Sequence, residues 1–340
     1  MELSERQRRI LQVIVEEYIS TVHPVASENI AARSGLGVKQ ATVRNEMAEL
    51  EAAGYITHPH TSAGRIPSDK GYRYFVENLL DNSGNLSNDE QRTIQHQFYQ
   101  VQRDLDEWMR LSTAVLSRAL QNAAIITEPK GPSVLFKQCQ LLSLQDRTAL
   151  LILVTNDGTV RQAVITLDQQ RSEDELATVG NKLTALLRGK SLLEIPLADG
   201  DLNEFERAVE SQMIGLLRSV EDFSSRDITY DGLVKMLNQP EFKATERVKQ
   251  VIELLENGGV LLTILPDVLN QEGVQVIIGD ENKLNDLRQC SIILTRYGVD
   301  EKAGVLGIIG PTRMEYGRTI SGVRYVSRLL SEMMRDVYGK

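Results

Sequence analysis

Cysteine is nearly absent from this 340-residue chain: Cys139 and Cys290 stand far apart in apolar contexts. That argues against a disulfide scaffold and against cysteine-paired metal sites, and it fits buried free thiols in a reducing cytoplasm. Histidine is almost as scarce, with four residues at 23, 58, 60 and 96, all in the first hundred positions. No Ser/His/Asp or Cys/His set is suggested by them. Gly304, Gly307 and Gly310 recur, but the dinucleotide fingerprint and the phosphate-loop lysine are both missing, so glycines bounding a strand and a turn explain them. We expect no enzyme, no cofactor and no metal. Long apolar runs are lacking too. The densest, ALLILV at 149–154, falls far short of the roughly 20 residues that span a bilayer. The N-terminus is charged from Glu2 onward and has no apolar signal core, so no membrane partner is expected and the location is cytoplasmic.

Positive charge is also in deficit: the net charge is −9, which excludes a protein coated in basic residues for nucleic acid. The distribution matters more than the sum. Between Arg33 and Arg73 stand six Lys/Arg (33, 39, 44, 65, 70, 73) against four Asp/Glu (46, 49, 51, 69), a local +2 in an acidic chain. Composition is otherwise that of a soluble globular protein, 41% hydrophobic and 25% charged, and the length suggests two or three domains.

The first eighty residues carry the clearest pattern. Ser4 with Gln7 reads as a capping box, and Ile10, Leu11, Ile14, Val15, Tyr18 and Ile19 recur at helical spacing. Ser27 is expected to cap a short second helix, and Gly35-Leu36-Gly37 turns the chain into a third, from about Lys39 to Ala53, with Val43, Met47 and Leu50 as its core stripe. Two helices joined by a glycine turn form a helix-turn-helix unit, or else part of an ordinary three-helix bundle. The third helix decides between them. Lys39, Gln40, Thr42, Arg44 and Asn45 gather in its first two turns and Glu46, Glu49 and Glu51 come later, the reverse of what the helix dipole favours. Basic and amide groups at the N-terminal end suit a recognition helix.

The stretch HPHTSAGRIPSDKGYRYF, 58–75, follows it. Tyr55–His58 and Gly64–Ile66 read as a hairpin, and Ser68 as the cap of a fourth helix. A hairpin after a recognition helix is a wing. His60, Thr61, Ser62 and Arg65 then face a groove and its phosphates, with Lys70 and Arg73 reaching the DNA backbone at the wing's base. The pair His58/His60 could instead hold a metal, but no third ligand stands nearby.

The run ATVRNEMAELEAAGYITHPHTSAGRIPSDKGYRYFVENLL at 41–80 resembles the signature of the HrcA family of bacterial heat-inducible transcription repressors, and the resemblance resumes with LNQPEF at 237–242 and GVLGIIGPTRMEYGRTISGVRYVSRLL at 304–330. It implies an α+β multidomain protein: a winged helix-turn-helix DNA-binding domain at 1–80, a linker at 81–88, and a GAF-like domain at 89–130 and 226–340 interrupted by an inserted α+β dimerisation domain at 131–225. It also implies a homodimer on an inverted-repeat double-stranded DNA operator (the CIRCE element) upstream of chaperone operons, with the GroEL chaperonin as partner in sensing. One departure stands out. Lys39-Gln40 replace small hydroxyl residues, which removes an N-cap side chain worth about 1 kcal/mol and adds a charge near the DNA.

Beyond the linker, Ile94, Phe98, Val101, Leu105, Trp108, Ser112, Val115 and Ala119 step by four and three, which predicts one long helix running on to a break at Glu128–Pro132. The polar Ser112 in that seam favours a core-facing helix, with some dimer contact, over a spacer. Val134–Leu144, Ala149–Thr155 and Val160–Thr166 predict an antiparallel meander with Asn156-Asp157-Gly158 as a hairpin turn, followed by helices at about 173–189 and 203–221. After Asp227 the pattern predicts a helix through Val248–Leu255, strands at Val274–Gly279, Ser291–Tyr297 and Val305–Ile309, and an amphipathic helix ending near Tyr338. Two other functions compete with a repressor: a regulator whose GAF-like domain senses a small effector, and an interaction scaffold with a degenerate winged helix. The intact Thr42/Arg44/Asn45 and Arg65 set counts against the scaffold.

Overall fold

A computed structural model describes residues 3–338 except 60–63, 81–85, 102–103, 132–133, 146, 193, 196–200, 222–227, 243–263, 266, 284–286 and 300–301. The chain divides into two compact units. One comprises Met1–Pro129, Ile228–Val299 and Ala303–Lys340, and the other Lys130–Asp227 with Asp300–Lys302.

The first unit opens with α1 (Glu5–Thr21), α2 (Ser27–Arg33) and α3 (Gln40–Ala52). The Ser4/Gln7 capping box forms as its spacing predicts. Ser27 does not cap α2; Ala26 holds that position without a side-chain bond, and the Ser27 hydroxyl turns toward α3 instead. Strands β1 (Ile56–Thr57) and β2 (Ile66–Pro67) pair antiparallel, and Val25 joins them by exchanging two backbone bonds with Arg65 of 2.8 and 2.9 Å. Gly64 permits this contact: a Cβ there would lie 2.5 Å from the Val25 carbonyl oxygen. Ser68 caps α4 (Asp69–Tyr74), which continues as a π-helical turn to Leu79. Gly71 lets α4 lie against Tyr55, whose carbonyl oxygen would sit 2.1 Å from a Cβ.

The single long helix predicted next is two helices. Val101 is extended, and Asp104 caps a new helix by accepting from the Asp106 and Glu107 N–H groups, so α5 (Asn88–Gln100) and α6 (Leu105–Leu120) are separate. Nor does α6 run on toward Glu128. Gln121 turns left-handed at φ 53°, and Ala123–Thr127 form β3, buried at every position. The buried Ser112 bonds back to the Trp108 carbonyl, so it costs the core no orphaned hydroxyl. Of the segment 81–88, Leu86 is already packed in the core and its N–H donates to Ser321.

After the second unit, β7 (Ile228–Asp231), α9 (Leu233–Leu237), β8 (Val274–Ile278), β9 (Cys290–Val299), β10 (Lys302–Pro311) and α10 (Tyr316–Tyr338) complete the first. The sheet order is β7-β3-β10-β9-β8, and α6 and α10 pack against it. β9 and β10 are buried almost throughout, with Arg296 as the one exposed position. The helix predicted through Val248–Leu255 lies outside the described residues. One apolar core runs from Ile10, Ile14 and Leu50 through Trp108 and Ile293 to Val326 and Leu330, so the N-terminal helices and this sheet share it.

The second unit matches the expected meander: β4 (Phe136–Ser143), β5 (Thr148–Thr155) and β6 (Val160–Thr166) are antiparallel, with α7 (Glu173–Leu187) and α8 (Glu204–Glu221) following. Leu141, Leu151, Leu153 and Ile165 face Leu176, Leu183, Met213 and Leu217 in a separate core.

Glu90 ties α5 to α10. The Arg318 guanidinium, helped by the Ser87 N–H and hydroxyl, lowers its carboxyl from 4.5 to about 2. A carboxyl depressed in the folded state stabilises it above the unfolded value and loses that contribution as pH falls through the folded value. Glu90→Gln is therefore expected to lower the melting temperature at pH 7, with the gap from the parent closing between pH 4.5 and 2. A gap unchanged across that range would contradict the role of the pair.

Candidate nucleic-acid interface

The recognition helix buries Val43, Met47 and Leu50 and turns Ala41, Arg44, Asn45, Ala48, Glu49 and Ala52 to solvent. Lys39 stands at its N-cap with no side-chain cap bond, as the missing hydroxyl predicts, and Lys39 and Gln40 are both exposed. Thr42 is half-buried at the edge of this face. The Ser27 hydroxyl sits beside it within 3.2 Å of Gln40 Nε2 and 3.3 Å of Arg44 Nε, accepting from both.

The acids of α3 are all engaged elsewhere. Glu46 accepts from Arg6 Nη1 at 3.0 Å and Glu49 from Gln7 Nε2 at 2.8 Å, both on α1. Glu51 binds the wing, through His58 and through Arg65, whose Nε and Nη2 lie 2.9 and 2.7 Å from its Oε2. Desolvation pushes the Glu51 carboxyl up, but the hydrogen bonds from His58 and Arg65 outweigh it and hold it below its ordinary value. His58 thus has a carboxylate partner. Residues 60–63 lie outside the described residues, so the predicted contacts of His60, Thr61 and Ser62 have no structural placement.

The remaining two predicted residues separate. Lys70 stays near the wing's base, where its ammonium donates to the Ala53 carbonyl at 2.8 Å and lies 4.5 Å from the Tyr55 ring centroid. It caps the C-terminal end of α3. Arg73 turns away from the α3 face and binds the Val276 carbonyl and Glu281 near the end of β8. The geometry gathers Lys39, Gln40, Thr42, Arg44 and Asn45 at the N-terminal end of α3, with Arg65 and Lys70 on the adjoining wing and α4, and leaves Arg73 outside. Helix-turn-helix, the Val25–Arg65 bridge and a following hairpin together make a winged helix, whose third helix can enter a major groove.

Comparison with known proteins agrees over the whole chain. A model described as winged helix-turn-helix transcription repressor, HrcA DNA-binding, matches residues 2–79, and one described as HrcA protein C terminal domain matches residues 106–320. The chain belongs to the HrcA family. The heat-inducible transcription repressor HrcA of Roseiflexus castenholzii is 44% identical over 354 residues, covering 99% of this chain and 96% of that one. Its counterpart from Herpetosiphon aurantiacus is 44% identical over 348 residues, covering 100% and 98%. A crystal structure titled only as that of a hypothetical protein shares the fold at a TM-score of 0.60 and 26% identity, covering 98% of each chain. Among the described residues no helix is long and apolar enough to cross a membrane.

Four residues of this HrcA-family chain were not singled out by their sequence context. Ala41 and Ala48 flank Arg44 and Asn45 at spacings of three and four on the exposed side of α3, a spacing that was there to be seen. Ser27, misread as a cap, positions Arg44. Glu51, seen only as a late acid, fastens wing to helix. Glu51→Ala should release both wing contacts, lower stability by about 1 kcal/mol, and speed amide exchange at Thr57 and Ile66. Exchange at those amides equal to the parent's would show that the wing is held without Glu51.

Proposed function

We propose that this chain is a heat-inducible transcription repressor that binds an inverted-repeat operator of chaperone genes as a homodimer in the cytoplasm. The observation that carries this is the exposed Ala41/Arg44/Asn45/Ala48 face, beside which Glu46, Glu49 and Glu51 are each held by a partner on α1 or the wing. In this reading Arg44 and Asn45, with Thr42, meet base edges, Lys39 and Gln40 hold phosphates at the helix N-terminus, and His60, Thr61, Ser62 and Arg65 work from the wing, with Lys70 at its base. Arg73 is assigned elsewhere. Arg44→Ala is expected to cost about 1–3 kcal/mol on the operator and little on random DNA. Lys39→Ala should weaken all DNA alike and reduce the salt slope by about one. Equal losses on specific and random DNA for Arg44→Ala would make it a phosphate contact.

The middle unit, residues 131–225, acts in this reading as the inserted dimerisation domain, and the flanking sheet domain as GAF-like. Support comes from the outer face of the three-stranded sheet. Leu150, Ile152 and Val154 line it, and Leu142, Val160 and Val164 are 42%, 54% and 65% exposed. These apolar side chains share the face with Gln138, Gln140 and Gln162, and an exposed apolar cluster of this kind marks an interaction surface. Its occupant is a second copy, because one winged helix reads too few base pairs to be selected among genomic competitors and a two-fold pair doubles the reading. Val164→Asp should convert the dimer to monomer in sedimentation and weaken operator binding at least tenfold; a dimer of unchanged stability would exclude this face.

Sensing, in the same proposal, runs through the GroEL chaperonin, which raises the folded, binding-competent fraction until heat-unfolded clients draw it away. A chain assembled from interrupted and inserted domains is prone to incomplete folding, which supports such dependence.

A further inference from the structure

Two segments of the family resemblance, 237–242 and 304–330, take no part in the DNA-facing surface, yet they meet. Arg313 donates from Nε to Glu241 Oε1 at 2.6 Å, from Nη2 to Gln239 Oε1 at 3.3 Å, and from Nη1 to the Ile19 carbonyl at 2.8 Å. Ile19 belongs to the last turn of α1, so one guanidinium, only 14% exposed, fastens the winged helix to the C-terminal sheet domain. Beside it the rings of Tyr72 and Tyr316 approach to 5.7 Å between centroids, across the same boundary.

Two further anchors hold α4. Asp69 accepts from the Asp280 N–H at 2.9 Å, in a turn where Gly279, at φ +52°, leaves room that a Cβ would take 2.0 Å from the carboxylate. Arg73 donates to the Val276 carbonyl at 2.6 Å and to Glu281 Oε1 at 2.7 Å. None of these contacts involves Lys39–Asn45. The docked winged helix therefore keeps its reading face open, which separates this joint from an autoinhibitory clamp.

We propose that Arg313 is a positioning residue that fixes the angle of the winged helix on the body of the protein and so sets the half-site spacing the repressor accepts. This rests on the dimer reading above. Changing the spacer of an inverted repeat by two base pairs moves one half-site by about 7 Å and turns it by about 70°, displacements that a rigid joint cannot follow and a loose one can.

The test uses full-length protein and an inverted repeat selected from a random pool by the wild type, together with a single half-site and versions with two base pairs added or removed. Wild type should prefer its own spacing at least tenfold. Arg313→Ala should cut that preference to threefold or less while half-site affinity and dimer mass stay unchanged. Should Arg313→Ala not fold, Asp69→Ala, which removes the second anchor, should show the same flattening. A variant that keeps the spacing preference, or loses half-site affinity in parallel, overturns the proposal. A wild type that is monomeric, or that binds half-site and inverted repeat equally, instead overturns the dimer reading and the proposal with it.

Discussion

A chain with net charge −9 can hold DNA only if carboxylates are kept away from the phosphates, and the pairing of α3's acids with α1 and the wing meets that constraint. Glu46 and Glu49 lie against Arg6 and Gln7, and Glu51 against His58 and Arg65. Individually such surface pairs stabilise little. Their larger effect is to orient charge: the acids are held by partners on α1 and the wing while Arg44 and Asn45 look outward. Within a Debye length of roughly 8 Å this ordering decides the sign of the field that a phosphate meets.

Close packing fixes where that face stands. Gly64 and Gly71 let β2 and α4 approach to distances no side chain would allow, so wing and helix share one rigid frame. That frame shares an apolar core with the C-terminal sheet, and Arg313, Asp69 and Arg73 add directional contacts at the boundary. Apolar burial supplies adhesion without orientation. The hydrogen bonds supply the orientation.

Much of this was legible in the sequence. Helical spacing, the Ser4/Gln7 box and the glycine turn placed α1 to α3, and the Asn-Asp-Gly turn placed the meander. The misreadings have local causes. A helical period cannot reveal that Asp104 restarts a helix when the apolar stripe stays in register on both sides. AAIIT, buried throughout as β3, has no alternation to separate a strand from more helix. Ser27 has the residue type of a cap, but its hydroxyl is engaged by side chains from α3. Arg73 looked like any basic residue near DNA, and only the fold brings Glu281, over two hundred positions away, into its reach. Contacts of that range leave no periodic trace.

The central claim is that the Ala41/Arg44/Asn45/Ala48 face of α3 enters the major groove. Both native cysteines are buried, so Ala48→Cys on the exposed face can carry a tethered DNA-cleaving reagent selectively. On an operator selected from random DNA, cleavage should fall in the major groove at two sites related by the two-fold of the inverted repeat. Cleavage spread evenly along the duplex, or confined to the minor groove, would contradict it.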